Sequence, residues 1–273
     1  MPDRRGTAAR YALLTICAVV VLFPIYTALV LSIQPAGRVV DFPRVLLPSS
    51  IRFASYRQAW SDGNLGRLLL NSLVVTTAIV AAQVVTSVLA AYAFVFLRFP
   101  AKRFVFVVFL STLMLPVEVT LVANYETVRR FGWLDSYPAL TVPFLATAFG
   151  TFLVRQAFLQ VPRDLREAAE LDGAGHLRFL RTVAVPVARP SIAALGVYSF
   201  LLAWNQYLWP LLVTDDDRRR TVQVGLRSLA GGNIDRLDVV LAGTILAGVP
   251  IFVLLVVFQR QLVRGLTSGA VKG

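Results

Sequence analysis

Six long apolar stretches, none with an interior lysine or arginine, leave this chain few ways to fold: Tyr11 to Ile33, Leu69 to Leu97, Phe104 to Ala123, Tyr137 to Val154, Ile192 to Val213 and Val239 to Phe258. A helix of about 20 such residues crosses the hydrocarbon layer of a bilayer, where each backbone amide must find its partner within the helix. With 57% of its residues apolar and 15% charged, a soluble domain of this length would leave much apolar surface in water. The expectation is an all-α integral membrane protein with six transmembrane helices. Prolines and glycines inside the spans are tolerable where neighbouring helices satisfy the freed backbone groups.

The first stretch follows Arg4, Arg5 and Arg10, as a secretory signal would. Its apolar run exceeds the about 7–15 residues of a signal core and no small-residue cleavage site follows, so a retained helix is expected. The chain then divides into a first helix (1–33), an external polar loop (34–68) whose amphipathic pieces could rest on the membrane surface, a transmembrane core (69–263) and a tail (264–273).

The formal charge of +12 is spread over the loops rather than gathered in one arm, which fits membrane topology better than nucleic acid. With both termini in the cytoplasm, fifteen of the 27 basic residues lie inside, and the clusters Arg4, Arg5, Arg10 and Arg98, Lys102, Arg103 flank membrane ends, where the positive-inside rule is strongest. Cys17 has no partner for an intrachain disulfide. A phosphate-binding loop needs a Gly-Lys pair, and Lys102 follows Ala101 while Lys272 follows Val271. One histidine, His176, and one cysteine form no metal cluster and no nucleophile pair, so neither a catalytic residue nor a metal site is expected.

The polar segment 155–190 between the fourth and fifth stretches reads as a docking element. A helix from about Leu165 to Asp172 would be capped by Asp164, with Glu167 reaching back three residues on, and ended by Gly173. Leu165, Ala168, Ala169 and Asp172 would share one side, the alanines letting a partner come close, with Glu167 and Glu170 offering charge. Pro186 breaks the segment before the fifth span.

Glu167-Ala168-Ala169, three residues, Gly173, nine residues, Val183, one residue, then Val185-Pro186 resembles the EAA loop of ABC importer permeases, with valines where isoleucine and leucine are usual. From about Asn71 onward the chain is similar to the carbohydrate-type permeases of maltose and glycerol-phosphate importers, and the tail Gly265 to Gly273 fits that group. The segments TLMLPVEV (112–119), LDSY (134–137) and WNQYLWP (204–210) look most like glycerol-3-phosphate permease subunits. The resemblance implies a type I importer permease with a MetI-like core from helices 2 to 6, in the bacterial cytoplasmic membrane. It also implies the partners: a second homologous permease, two cytoplasmic ATPase subunits that bind ATP and Mg, and an extracytoplasmic solute-binding protein. Glu167, Ala168, Ala169, Asp172, Gly173 and Pro186 would couple this chain to the ATPases, and the tail would reach between them.

A carboxylate at bilayer depth costs about 3 kcal/mol unless it faces a cavity or a partner, which makes Glu118 a candidate for the solute path. On a straight helix from Phe104 it would stand at a level similar to Asn205 and Gln206 of the fifth span. Together with Trp204, Tyr207 and Trp209 these amides and rings would suit a hydroxylated solute; the structural alternative is that they join helices by hydrogen bonds or mark the outer interface. Resemblance favours sn-glycerol 3-phosphate or a glycerophosphodiester. The absence of a cation inside any span suits a neutral di- or oligosaccharide equally. Rivals of other classes are a secondary transporter, which would show two related halves with midplane acids, and a membrane scaffold or receptor.

Overall fold

A computed structural model describes residues 4–35, 47–48, 51–61, 63–230 and 237–267. Among these residues the architecture is all-helical, in the order α1 (Arg4–Ser32), α2 (Ala54–Ser61), α3 (Leu65–Phe96), α4 (Lys102–Ser111), α5 (Val117–Arg130), α6 (Tyr137–Thr141), α7 (Ala148–Phe158), α8 (Arg163–Leu171), α9 (His176–Phe179), α10 (Val185–Val187), α11 (Arg189–Trp204), α12 (Leu208–Val213), α13 (Val222–Ala230) and α14 (Leu237–Thr267). The 264–273 tail lies outside the described residues from position 268 onward.

Three helices are long and apolar enough to cross a membrane unbroken: Arg10–Ser32, Leu65–Phe96 and Leu237–Gln259. The other three expected spans are bent pairs, giving six if each pair is one span. The third, expected as one helix from Phe104 to Ala123, turns by 99° between Lys102–Met114 and Glu118–Arg130. The chain breaks at Leu115 and Pro116, since the residue before a proline is pushed out of the helical region: Leu115 is extended at φ −81°, ψ 119°. The fourth bends by 46° between Tyr137–Phe144 and Ala148–Phe158; the third bent pair, His176–Val187 and Arg189–Trp204, turns by 79° ahead of the fifth expected stretch, which was to begin at Ile192. The fifth stretch itself stops at Trp204, and α12 resumes after Asn205 to Tyr207.

The chain forms two compact units, residues 1–67 with 225–249 and residues 68–224 with 250–273. In the first, α2 is held from two sides: Ser55 Oγ donates to buried Asp238 Oδ2 at 2.6 Å, and the Ser32 hydroxyl shares a 2.7 Å hydrogen bond with Tyr56 OH. The helix of the expected external loop is thus clamped into its own unit. Most of α1 is exposed, apolar on all faces from Tyr11 to Tyr26, a surface suited to lipid or another chain rather than water.

In the second unit two hydrophobic clusters sit at opposite ends of α3. One joins Val88, Ala91 and Tyr92 of α3 to Val154 and Phe158 of α7, Phe179, and Leu195 of α11. Apolar attraction does little between helices in lipid, so close approach of small residues matters more. Gly150 shows this: a Cβ there would stand 2.4 Å from Ser87 Oγ, 2.8 Å from Thr147 Cγ2 and 2.9 Å from Leu195 Cδ1. The other cluster joins Val75 and Ile79 of α3 to Val128, Leu140, Ala203, Trp209 and Val213. The break before α7 is supplied with donors from α3, Gln83 Nε2 to Phe144 O at 2.8 Å and Thr86 Oγ1 to Leu145 O at 3.1 Å. That is how a broken span keeps its backbone satisfied without water.

Candidate functional site

The docking element forms as a helix but is built differently from its expected plan. α8 begins at Arg163, with Pro162 at the N-cap and no side-chain cap bond. Asp164 therefore lies inside the first turn, and the reciprocal Asp164–Glu167 cap is absent; the acid still meets the positive end of the helix dipole there. The other end follows the sequence reading. Gly173 takes φ +70°, its amide donates to Glu170 O at 3.1 Å, and the Ala174 amide donates to Ala169 O at 2.9 Å. These two bonds form a Schellman closure, which favours glycine at the left-handed position.

The two alanines face different ways. Ala169 is half-buried, packed on the cluster around Tyr92 and Phe158, and lines a cleft of about 270 Å³ with Tyr92, Phe96, Arg166, Glu170, His176 and Phe179. Ala168 is exposed, and so are Asp164, Glu167 and Leu171, which succeed one another at helical spacing. Leu171 is 89% exposed and Leu177, just beyond the turn, 65%. The outward surface is therefore an acid–alanine–leucine face rather than the face containing both alanines; Leu165 and Asp172 are exposed beside it. Glu170 is taken by Arg166 of its own helix, Nε to Oε1 at 2.9 Å, whereas Asp164, Glu167 and Asp172 are exposed acids outside that ion pair.

The element is fastened to the span bundle. His176 Nδ1 and Tyr92 OH lie 2.9 Å apart in a hydrogen bond, and the Arg166 guanidinium sits over the Phe96 ring at 5.9 Å. His176, itself exposed, ties the loop to α3. Pro186, expected as a simple break, sits in α10 after a π-helical turn, Leu180–Ala184, which absorbs the hydrogen bond a proline cannot donate. The 79° bend follows at Ala188, with Pro190 in the first turn of α11.

On the solute-path side the structure brings together part of the expected set. Glu118, Gln206, Tyr207 and Trp209 line one pocket of about 180 Å³, with Thr120, Asn124 and Phe144. Glu118 reaches it from the first turn of α5, beyond the elbow, at the positive end of that helix's dipole; the straight-helix height does not apply. Gln206 Oε1 is buried with no hydrogen-bond donor, an acceptor available to a hydroxyl. Trp204 and Asn205 are placed elsewhere. Trp204 is 2% exposed and stacks on Phe200 at 5.4 Å, while Asn205 donates to Leu201 O at 2.8 Å and accepts from Gln223 at 3.4 Å.

The LDSY and WNQYLWP segments have a structural task that sequence reasoning missed. Asp135, at φ +55°, accepts from the amides of Asp215 and Asp216 at 2.6 and 2.7 Å. Tyr137 OH donates to Asn71 Oδ1 at 2.9 Å, and Asn71 Nδ2 donates to the carbonyls of Arg218 and Arg220, both at 2.9 Å. Trp209 Nε1 donates to Ala139 O at 3.0 Å. The charged run from Asp215 to Arg220 is thus a loop pinned through its backbone, with Asp215 to Arg218 exposed.

A family model described as a binding-protein-dependent transport system inner membrane component matches residues 83–268. The chain is 39% identical over 271 residues to the sn-glycerol-3-phosphate transport system permease protein UgpE of Brucella abortus (strain 2308), covering 94% of this chain and 95% of that one. Its counterpart in Rhizobium meliloti (strain 1021) is 40% identical over the same share, and that of Yersinia pestis bv. Antiqua (strain Antiqua) 38%. In structure the chain resembles one in a bacterial ABC transporter involved in the import of the acidic polysaccharide alginate, with TM-score 0.84, 24% identity and coverage of 94% and 96%, a likeness of fold. An all-helical chain of broken and unbroken spans, bearing a fastened polar helix between two of them, thus belongs to the family of binding-protein-dependent transport system inner membrane components.

Proposed function

We propose that this chain is one of two permease subunits through which a binding-protein-dependent importer moves sn-glycerol 3-phosphate or a related glycerophosphodiester, driven by two ATPase subunits that carry the ATP and Mg. The carrying observation is the fastening of α8 and the turn after it: Ala169 of α8 packs on the cluster with α3 and His176 of α9 bonds Tyr92 of α3, while Glu167, Ala168 and Leu171 stay outward. An element rigid toward its own spans and open toward a partner can pass a partner's movement inward as a rigid-body shift. Asp172 and Gly173 close the helix, and the π turn before Pro186 leads that movement to the bend above α11. In this reading α8 and both termini face the cytoplasm, and an external binding protein delivers the solute.

The relatives' names support the glycerol phosphate. Gln206 Oε1, unpaired beside Tyr207 and Glu118, supports recognition of hydroxyl groups in the solute path. Glu118 in the same pocket favours the second reading, a neutral oligosaccharide, because a carboxylate repels a phosphate. The complex reconstituted with its binding protein decides between them. ATP hydrolysis stimulated by glycerol 3-phosphate and not by maltose or trehalose is expected, and the reverse order would overturn the substrate assignment.

A further inference from the structure

Beyond the docking helix and the solute pocket, a third concavity lies between the end of α3, the start of α4 and the end of α7. It has a volume of about 920 Å³, opens outward, and is lined by Lys102, Arg103 and Arg155 together with apolar residues that include Phe104, Phe106 and Val107. Among the described residues no acid lines it. Lys102 Nζ is held in place by Leu97 O at 2.9 Å and Val95 O at 3.3 Å. The Arg155 guanidinium lies on the Phe106 ring at 4.2 Å, and its Nε is buried with no hydrogen-bond partner. α4 begins here without an acidic first-turn residue and without a side-chain cap, so its free amides add to the same positive field. Away from this basic end, Phe104, Val107 and Val108 continue along α4 as an apolar stripe, 69%, 64% and 49% exposed.

We propose that this groove is a binding site for an anionic phospholipid, whose phosphate meets Lys102, Arg103 and Arg155 and whose acyl chains follow Phe104, Val107 and Val108. The charge order along the groove is that of a lipid, basic at one end and apolar along the rest. A soluble phosphate ester would use the cations and leave the stripe bare. A basic pocket between spans at the headgroup level satisfies a phosphodiester and the unpartnered Arg155 Nε together.

The test uses the assembled transporter in nanodiscs of phosphatidylcholine and phosphatidylglycerol, with retained lipids counted by native mass spectrometry. The wild-type complex is expected to retain phosphatidylglycerol preferentially. Lys102→Gln and Arg155→Gln should each reduce that preference about fivefold, Arg155→Lys should keep most of it, and Arg57→Gln, outside the groove, should leave it unchanged. Equal retention of the two lipids by wild type would overturn the proposal, as would an undiminished preference in the Lys102→Gln/Arg103→Gln/Arg155→Gln variant. Displacement of the lipid by glycerol 3-phosphate or inorganic phosphate would overturn it in favour of a solute site. Cross-linking of Val107→Cys to the second permease, with lipid excluded, would overturn it in favour of a protein contact.

Discussion

The stretch from α7 to α11 and the elbow between α4 and α5 are both interrupted apolar spans, yet they are built in opposite ways. From α7 to α11 the bends are filled from within: Phe158, Phe179, Leu180, Ala184, Ala188 and Leu195 are all buried in one cluster with α3. At the elbow the chain turns more sharply, by 99°, and α4 buries none of its residues. The first arrangement holds its shape through its own contacts. The second leaves α4 exposed, joined to α3 and α7 by the rings of Phe106 and Phe109 against Phe94 and by Arg155 over Phe106.

That contrast can be broken by substitution in detergent-solubilised protein. Phe158→Ala, at a site 1% exposed, should cost about 3 kcal/mol or more and lower the thermal midpoint steeply. Gly150→Val places carbon against Ser87, Thr147 and Leu195, and about 1–3 kcal/mol of overpacking is expected from the same measurement. Tyr92→Phe removes the bond to His176 for about 1 kcal/mol, and protease cutting between 172 and 178 should quicken even where the midpoint barely moves. Val107→Ala on α4 should stay within about 0.5 kcal/mol of wild type. If Val107→Ala destabilised the isolated subunit as much as Phe158→Ala, the contrast would not hold.

That the chain is built of membrane-length apolar helices was legible because hydrocarbon thickness writes itself into length and composition; three of the six expected spans are unbroken helices, and the count reaches six only if each bent pair is one span. The bends were not, although each bent pair contains a proline. Pro24 and Pro250 lie inside helices that continue through them, so proline alone does not mark a break. What decides is whether a neighbour supplies donors and room, as Gln83 and Thr86 do at Phe144 and Leu145. Such partners are distant in sequence and carry no local signal.

In the docking loop, Gly173 was readable because the left-handed conformation selects glycine. The start was misread by two residues: Pro162 takes the cap and moves Asp164 into the helix. The division of the alanine pair also escaped, since helical phase shows that Ala168 and Ala169 differ by a hundred degrees but not which of them faces the parent chain. Leu171 could have been found as the residue four beyond Glu167 on the same face. Of the solute-path set, Trp204 was assigned by proximity to Asn205 and Gln206, whereas its large ring is the group a helix crossing buries first.

The central claim is that the outward face of α8 receives the ATPase subunit. Single cysteines at Leu171 and Ala169, each in a Cys17→Ser background, are to be cross-linked within the assembled transporter. Strong linkage of Leu171→Cys to the ATPase, with little from half-buried Ala169→Cys, is expected. Linkage reversed between the two positions, or labelling of Leu171→Cys by a membrane-impermeant reagent from outside intact cells, would contradict it.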